Sequence, residues 1–251
     1  MTFRLPSVLR GSPWKFVTLL LCTALPLALA SAKNARSTNG ASSTNSAPDF
    51  TGVWMEREDA ITFTSKEPPL QPWAEAIFRA AKPGYGPRAT SDSRDPILSC
   101  LPPGVPRILL IPFPMQIVQS PSEVIMIFEY DHFVRHIALD REHPKDMAPS
   151  WMGDSVGKWS GDTLIVDTVG FNDKSWLDQV GHPHSDALHL IERIRRVDHD
   201  TLQDDLTIDD PKAYAHSWTG QQIFKLKPTW HLAEYICRTT CRTSTDSLLL
   251  R

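Results

Sequence analysis

The stretch Asn172–Arg196 collects side chains that can transfer protons or bind metals. Its first half is a polar loop with His182 and His184, and its second half holds His189 and Glu192. Imidazole and carboxylate groups are the usual agents of general acid–base catalysis. The same residue types are typical of a loop that stays in water, so the elements that position them decide between the two interpretations.

An acid–base site in this region would use His184 or His189 as the proton-transfer group. A carboxylate would then orient the imidazole, and Asp173, Asp186 and Asp154 are the candidates. Aromatic and polar side chains on the neighbouring segments would hold a ring-bearing ligand. The residues predicted to contact it are Trp151, Trp176, His182, Glu192, Arg193, Tyr214 and Trp218.

A metal site is the competing hypothesis, because three imidazoles and a carboxylate satisfy zinc or iron. The pattern of residues 185–197 predicts a strand, however, and successive side chains of a strand point to opposite faces. His189 and Glu192 would then diverge. We therefore predict no metal and no cofactor, and a metal-dependent enzyme is the least favoured function.

Glu192 shares its predicted face with Leu188, Leu190 and Ile194. A carboxylate among core-facing leucines is costly unless it is paired or hydrogen-bonded. Either it lines a cavity as a functional group, or it meets a buried arginine in a structural ion pair.

The rest of the chain predicts a β-rich domain with one short helix at 72–82, where Pro72 suits a first turn and Pro83-Gly84 ends it. Alternation of apolar and polar residues predicts the strands. They are placed at 115–119, 123–130, 133–139, 156–160, 163–169, 185–197, 201–208, 218–226 and 230–237, after an entry strand near Phe50–Trp54.

Short and long connections alternate along these strands. In an up-and-down antiparallel sheet, alternate connections lie at opposite ends. The long connections 140–155, 170–184 and 209–217 are therefore predicted to gather at one end, where binding and catalytic residues usually lie. So many antiparallel strands protect their edges by closing into a barrel. Gly52-Val53-Trp54 resembles the G-x-W signature of lipocalin-like barrels, whose Trp plugs the closed end.

The first 32 residues predict a secretory signal peptide. Three basic residues precede an apolar run, and Ala30-Ser31-Ala32 fits the small-residue cleavage rule. The run is too short for a membrane span. We expect a flexible leader at 33–48, one domain at 49–237 and a tail at 238–251, in the periplasm or outside the cell.

Charge and cysteine content limit the partners. The full chain has a formal net charge of −3, and loss of the signal peptide removes three basic residues. This acidic balance argues against nucleic acid as a partner; a small molecule is expected instead. Export favours disulfides, and Cys100 is predicted to pair with Cys237, which leaves Cys241 over.

Most familiar catalytic templates do not occur in the sequence. It contains no HExxH helix or P-loop, and Gly84-Tyr85-Gly86 lacks the third glycine of a dinucleotide site. A glycosidase that uses two carboxylates is a further alternative, but the spacing of the aspartates in the long loops does not indicate which two would act.

Three long blocks resemble a family of exported bacterial proteins that is common in soil lineages. They are Pro149–Asp173, Gly181–Asp198 and Leu206–Trp218, and DFTGVW and CLPPGVPR match too. The resemblance covers nearly the whole mature chain and implies no particular activity. Members end soon after the motif at Glu234–Cys237, and the tail from Arg238 differs from them.

The sequence thus predicts a mostly-β, lipocalin-like antiparallel barrel. The leading function is an exported, cofactor-independent hydrolase, lyase or isomerase that acts on a small ring-bearing substrate. The alternative is a non-catalytic carrier of a small apolar or aromatic ligand, with Trp151, Trp176 and Trp218 as its contact surface.

Overall fold

The computed structural model describes residues 47–57 and 60–238. The predicted signal peptide, nearly all of the leader, Cys241 and most of the tail lie outside these residues. In the part that is described, no helix is long and apolar enough to cross a membrane.

The described chain is mostly β, as predicted, and holds nine strands and one α-helix. The strands are β1 (Gly52–Glu56), β2 (Met115–Gln119), β3 (Glu123–Phe128), β4 (Val134–Leu139), β5 (Asp154–Ser160), β6 (Thr163–Val169), β7 (His189–Asp198), β8 (Thr201–Asp209) and β9 (Trp218–Leu226). The helix is α1 (Pro72–Ala80), and short 3₁₀ helices lie at Pro96–Ser99, Arg107–Leu110 and Tyr130–His132.

The nine strands form one closed barrel in chain order, because β9 pairs with β1. The prediction of a barrel is confirmed, but the prediction that every pair is antiparallel is wrong. Strand β4 runs parallel to β5, with Ile137 opposite Ser155. Residues 140–153 between them are long enough for the crossover that a parallel pair needs.

This parallel pair changes which connections meet. We call the end with β6–β7 and β8–β9 the long-loop end, and the opposite end the short-turn end. Residues 170–188 and 210–217 lie together at the long-loop end. Residues 140–153 differ, because they leave β4 at the short-turn end and run along the barrel to the start of β5 at the long-loop end. The tight turn at Asp131-His132, predicted for the short-turn end, also lies at the long-loop end.

Alternating side chains of the strands fill the barrel. Residues such as Ile117, Ile137, Leu164 and Leu202 are fully buried. At the short-turn end, Trp54 Nε1 donates a hydrogen bond to the Phe50 carbonyl at 2.9 Å. The interior is therefore a packed core.

A cap covers the long-loop end. Residues 105–111 lie between β1 and β2 in the chain, and Ile108, Leu109 and Leu110 are at most 2% exposed. The Leu110 carbonyl accepts a hydrogen bond from Gln179, and the Leu109 carbonyl accepts one from Gln222. The cap joins the loops to the barrel wall.

The segment after β9 has no regular secondary structure and pairs with no strand, so the predicted strand at 230–237 is wrong. The barrel is already closed by β1 and β9, which leaves no edge for another strand. Its apolar side chains pack instead, and Tyr235 lies against Phe113 and Tyr130. The predicted disulfide Cys100–Cys237 is confirmed and fixes the segment to the long-loop end.

Candidate functional site

The loop between β6 and β7 folds back on itself at the long-loop end. Trp176 and Pro183 form an antiparallel bridge, and Leu177 N donates to the His182 carbonyl at 2.8 Å. Residues one step outside a paired position lie opposite each other. This pairing therefore brings Ser175 and His184 together.

The Ser175 hydroxyl and the His184 ring form a hydrogen bond of 3.0 Å, between Oγ and Nε2. The other ring nitrogen, Nδ1, lies 3.1 Å from the Ser185 carbonyl oxygen. A carbonyl can only accept, so Nδ1 carries the proton of the neutral ring. Nε2 is then the acceptor, and the serine hydroxyl donates to it.

Burial keeps this histidine neutral. His184 is 4% exposed, and desolvation lowers its pKa below the ordinary value of 6.5. The hydrogen bond to the Ser185 carbonyl and the charges of Asp210 and Asp173 act in the opposite direction but do not reverse the shift. His184 Nε2 is therefore unprotonated at neutral pH and can accept the proton of Ser175.

Asp210 holds the residue whose carbonyl orients the imidazole. Its carboxylate accepts from the Ser185 N–H at 2.6 Å and from the Ser185 hydroxyl at 2.7 Å. It also accepts from Lys212 N and Ala213 N in its own loop. The carboxylate thus acts on His184 through the backbone of Ser185.

Gly104 lies against the other side of Ser175. Its φ is +74°, and a Cβ there would lie 2.7 Å from the Trp151 carbonyl oxygen and 3.0 Å from Ser175 Oγ. A side chain would clash with both, so only glycine fits. The approach of the Gly104 backbone restricts where the Ser175 hydroxyl can point.

A cavity of about 230 Å³ opens beside the pair. Its apolar walls come from Trp73 and Ile77 of α1 and from Trp176 and Pro183 of the loop, and Ser175 and His184 also line it. The pair is therefore nearly buried and yet borders a space that a small molecule can enter.

Among the residues predicted as catalytic, His184 lies at this cavity, and none of the three aspartates orients it by a hydrogen bond. Asp173 is exposed on the cavity wall and acts on His184 only through its charge. Asp186 forms an exposed ion pair with Lys212 at 2.6 Å. Asp154 lies elsewhere on the barrel.

Asp154 and His189 belong to a second cluster, on the outside of β5, β6 and β7. His189 Nε2 lies 3.0 Å from Asp167 Oδ1, and His143 bridges Asp167 and Asp154 at 3.1 and 2.6 Å. Burial alone would raise the pKa of Asp154, but hydrogen bonds from Arg141 and His143 lower it below its ordinary value.

His182 is buried in the same loop between β6 and β7, but its ring contacts residues other than Ser175. Its ring stacks on Phe78 of α1 at 4.1 Å, and its Nδ1 lies 2.5 Å from Asp178 Oδ2. The same carboxylate accepts from the backbone N–H groups of residues 180–182. These contacts dock the loop on the helix.

Glu192 lies inside the barrel, and of its two interpretations the structure gives the buried ion pair. Both of its carboxylate oxygens accept from the Arg135 guanidinium, one of them at 2.8 Å. Arg135 also donates to Ser155 and Thr168. Burial and the charge of Glu192 raise the pKa of the neighbouring Asp204 well above its ordinary value.

The remaining predicted ligand contacts are spread over the molecule. Trp176 lines the cavity, and Trp151 lies under Lys174 at 5.6 Å. Tyr214 donates to the Pro183 carbonyl at 2.8 Å and packs on Trp218; burial raises the pKa of Tyr214. Arg193 is exposed on the outside of the barrel.

The three histidines of the metal hypothesis have separate partners. Within residues 47–57 and 60–238, no three His, Cys, Asp or Glu side chains are placed to hold a metal ion. His182 contacts Asp178, His184 contacts Ser175, and His189 contacts Asp167.

Ser175 and Ser185 are absent from the predicted site, and Asp210 was not assigned a role. Their sequence neighbourhood forms no known motif. The sequence offers one signal for this site. The loop that carries His184 connects two antiparallel strands, so it must reverse direction before β7. No family model matches the chain, and no curated protein matches it. The resemblance to an exported bacterial family stays a prediction.

Proposed function

We propose that the chain is an exported hydrolase that cleaves esters of small ring-bearing molecules. Ser175 is the nucleophile, and His184 is the general base. The observation that supports this most directly is the 3.0 Å hydrogen bond from Ser175 Oγ to the unprotonated nitrogen of His184. A nucleophile in hydrogen-bond contact with an oriented base is the arrangement that acyl transfer requires.

The reaction follows from these two groups. Ser175 Oγ bonds to the ester carbonyl carbon, and its proton moves to His184 Nε2. The carbon–oxygen bond to the alcohol then breaks, and the same proton passes to the leaving oxygen. Water hydrolyses the resulting acyl-serine by the reverse proton route, which releases the acid and restores both side chains.

The Ser185 carbonyl takes the place that a carboxylate occupies in a Ser-His-Asp triad. It accepts from Nδ1, selects the tautomer and stabilises the positive ring that forms during the reaction. Asp210 supports that carbonyl through two hydrogen bonds to Ser185. The negative charge of Asp210 thus remains close to the developing imidazolium.

The test is hydrolysis of phenyl acetate by the purified protein. Ser175→Ala and His184→Gln are each expected to lower kcat/KM at least a hundredfold, because each removes one half of the pair. His216→Gln is the matched control, since His216 Nδ1 also lies 3.0 Å from the carbonyl of the next residue but is exposed. Unchanged hydrolysis in folded Ser175→Ala protein contradicts the proposal.

A carrier of a small aromatic ligand is the second candidate, because the cavity has an apolar rim. Trp73 and Ile77 are large apolar side chains with exposures of 42% and 48%, one helical turn apart on α1. The barrel core is filled, so this ligand too would bind at the long-loop end. Binding without Ser175-dependent turnover is the result that favours the carrier.

A further inference from the structure

The cavity beside Ser175 differs from ordinary polar clefts in its walls. Trp73 and Ile77 line it from the helix, and Trp176 and Pro183 line it from the loop. Trp73 and Ile77 are exposed, whereas Trp176 is half-buried and Pro183 is buried. Large apolar side chains are seldom left in water together unless they contact something, so this wall offers a contact surface for an apolar group.

Trp73 is held in place although it is 42% exposed. Its Nε1 donates a hydrogen bond to the Lys212 carbonyl at 2.6 Å. Lys212 is itself joined to Asp186 on the cavity wall by an ion pair of 2.6 Å. An aromatic plane held by a hydrogen bond at its ring nitrogen is suited to stacking on a ring, since little rotamer entropy is lost on binding.

The size of the cavity limits the ligand. Its volume is about 230 Å³, whereas drug-sized molecules occupy clefts of roughly 300–1,000 Å³. An apolar cavity of about 150 Å³ is enough for benzene. The space therefore fits a single ring with a short acyl or alkyl group.

The charges around the cavity disfavour an anion. Its ionisable wall residues apart from His184 are Asp173, Lys174 and Asp186. Lys174 Nζ lies over the Trp151 ring, and Asp186 is paired with Lys212. Asp173 adds a negative charge on the wall. A carboxylate or phosphate on the ligand would thus face two wall carboxylates, and the wall cation Lys174 already lies over an aromatic ring.

We infer that the site takes uncharged, single-ring aromatic compounds, with the ring between Trp73 and the loop wall. For catalysis the class is the esters of small phenols or benzoic acids, and this part rests on the proposed function. The inference about the ligand class rests only on the cavity, so a binding experiment tests it without measuring turnover.

The first experiment measures binding of acetanilide, the amide analogue of phenyl acetate, by calorimetry on the purified protein. Binding is expected, and Trp73→Ala should weaken it about tenfold because the stacking surface is lost. Trp230→Ala is the control, since Trp230 is similarly exposed at 46% and lies in the C-terminal segment. Absence of binding, or equal binding by Trp73→Ala, overturns the inference.

The second arm replaces acetanilide with 4-acetamidobenzoate, which adds one carboxylate to the same ring. Its affinity is expected to be at least tenfold lower, and Asp173→Asn should narrow the gap. Equal affinity for the two compounds overturns the assignment to uncharged ligands.

Phenyl acetate separates this inference from the proposed function. If acetanilide binds and folded Ser175→Ala protein still hydrolyses the ester at the wild-type rate, the catalytic proposal fails and the ligand class stands. If Ser175-dependent hydrolysis occurs but Trp73→Ala leaves KM unchanged, the ligand class fails and the catalytic proposal stands.

Discussion

Two clusters of buried polar side chains in this protein lie in different surroundings. Inside the barrel, Arg135, Glu192 and Asp204 are all at most 1% exposed and are enclosed by core side chains. At the long-loop end, Ser175 and His184 are almost as buried but border a cavity. The comparison teaches that burial of an ionisable group does not by itself indicate function.

The way each cluster is satisfied also differs. Glu192 is bound on both oxygens by Arg135, and Arg135 also donates to Ser155 and Thr168, so the ion pair links strands β4, β5, β6 and β7. His184 uses Nδ1 for orientation and keeps Nε2 for an exchangeable hydroxyl proton. We expect changes in the first cluster to alter stability and changes in the second to alter activity.

The largest stability effect is expected for Glu192→Ala. This change removes the carboxylate that accepts two hydrogen bonds from the buried Arg135 guanidinium, which should lower the free energy of unfolding by about 3–5 kcal/mol. Urea denaturation measures the loss. The double variant Glu192→Leu with Arg135→Met should recover most of it, and a single-variant loss below about 1 kcal/mol is inconsistent with a buried ion pair.

Asp210→Asn should have a smaller effect on stability and a clear effect on activity. The amide can replace only part of the hydrogen bonds to Ser185, which should cost about 1–3 kcal/mol. The Ser185 carbonyl would then orient His184 less well, so kcat for phenyl acetate should fall more than KM rises. Asp186→Asn is the control, because it removes an exposed carboxylate of the same cavity. An equal fall in kcat for both variants would argue against the role of Asp210.

Asp204→Asn should stabilise the protein increasingly as the pH rises from 4 to 7. The pKa of Asp204 is raised in the folded state by burial and by Glu192, so the unfolded chain releases the proton first. The free energy of unfolding of the wild type then falls by up to about 1.4 kcal/mol per pH unit. Asparagine cannot ionise, so the variant does not show this fall. Urea denaturation at several pH values tests it, with Asp205→Asn on the opposite face of β8 as the control. A pH-independent difference from the wild type contradicts the assignment.

The smallest expected effect concerns His184 in acid. Because its folded-state pKa is lowered, the unfolded chain binds a proton first as the pH falls below 6.5, and stability decreases. Between pH 7 and pH 5, the melting temperature of His184→Gln should therefore fall by less than that of the wild type, and the difference should be a few degrees. His216→Gln should behave like the wild type; if both variants respond equally, burial of His184 is not the cause.

Much of the barrel could be predicted because one side of each strand faces the core. Leu202, Leu206 and Ile208 alternate with polar residues, and they are buried as that pattern indicates. The direction of β5 could not be predicted, because a parallel strand and an antiparallel strand carry the same alternation. The apolar run at 230–237 imitates a strand, but closure of the barrel leaves it no partner.

The candidate site was predictable in part for a similar reason. His184 stands out as a residue type, and its loop was correctly placed at the end of the barrel with 210–217. Its partners are a serine hydroxyl and a backbone carbonyl, which any loop contains. Their meeting depends on the Trp176–Pro183 pairing, for which the sequence holds no recognised motif.

The most direct test of the central claim is covalent labelling with a fluorophosphonate, which phosphonylates an activated serine with loss of fluoride. Cleavage after Lys174 and Arg193 gives a peptide that begins at Ser175 and also contains Ser185, and fragmentation in a mass spectrometer distinguishes the two. We predict a label on Ser175 in the wild type and almost none in His184→Gln. Labelling that spares Ser175, or that is equally fast without His184, would contradict the account.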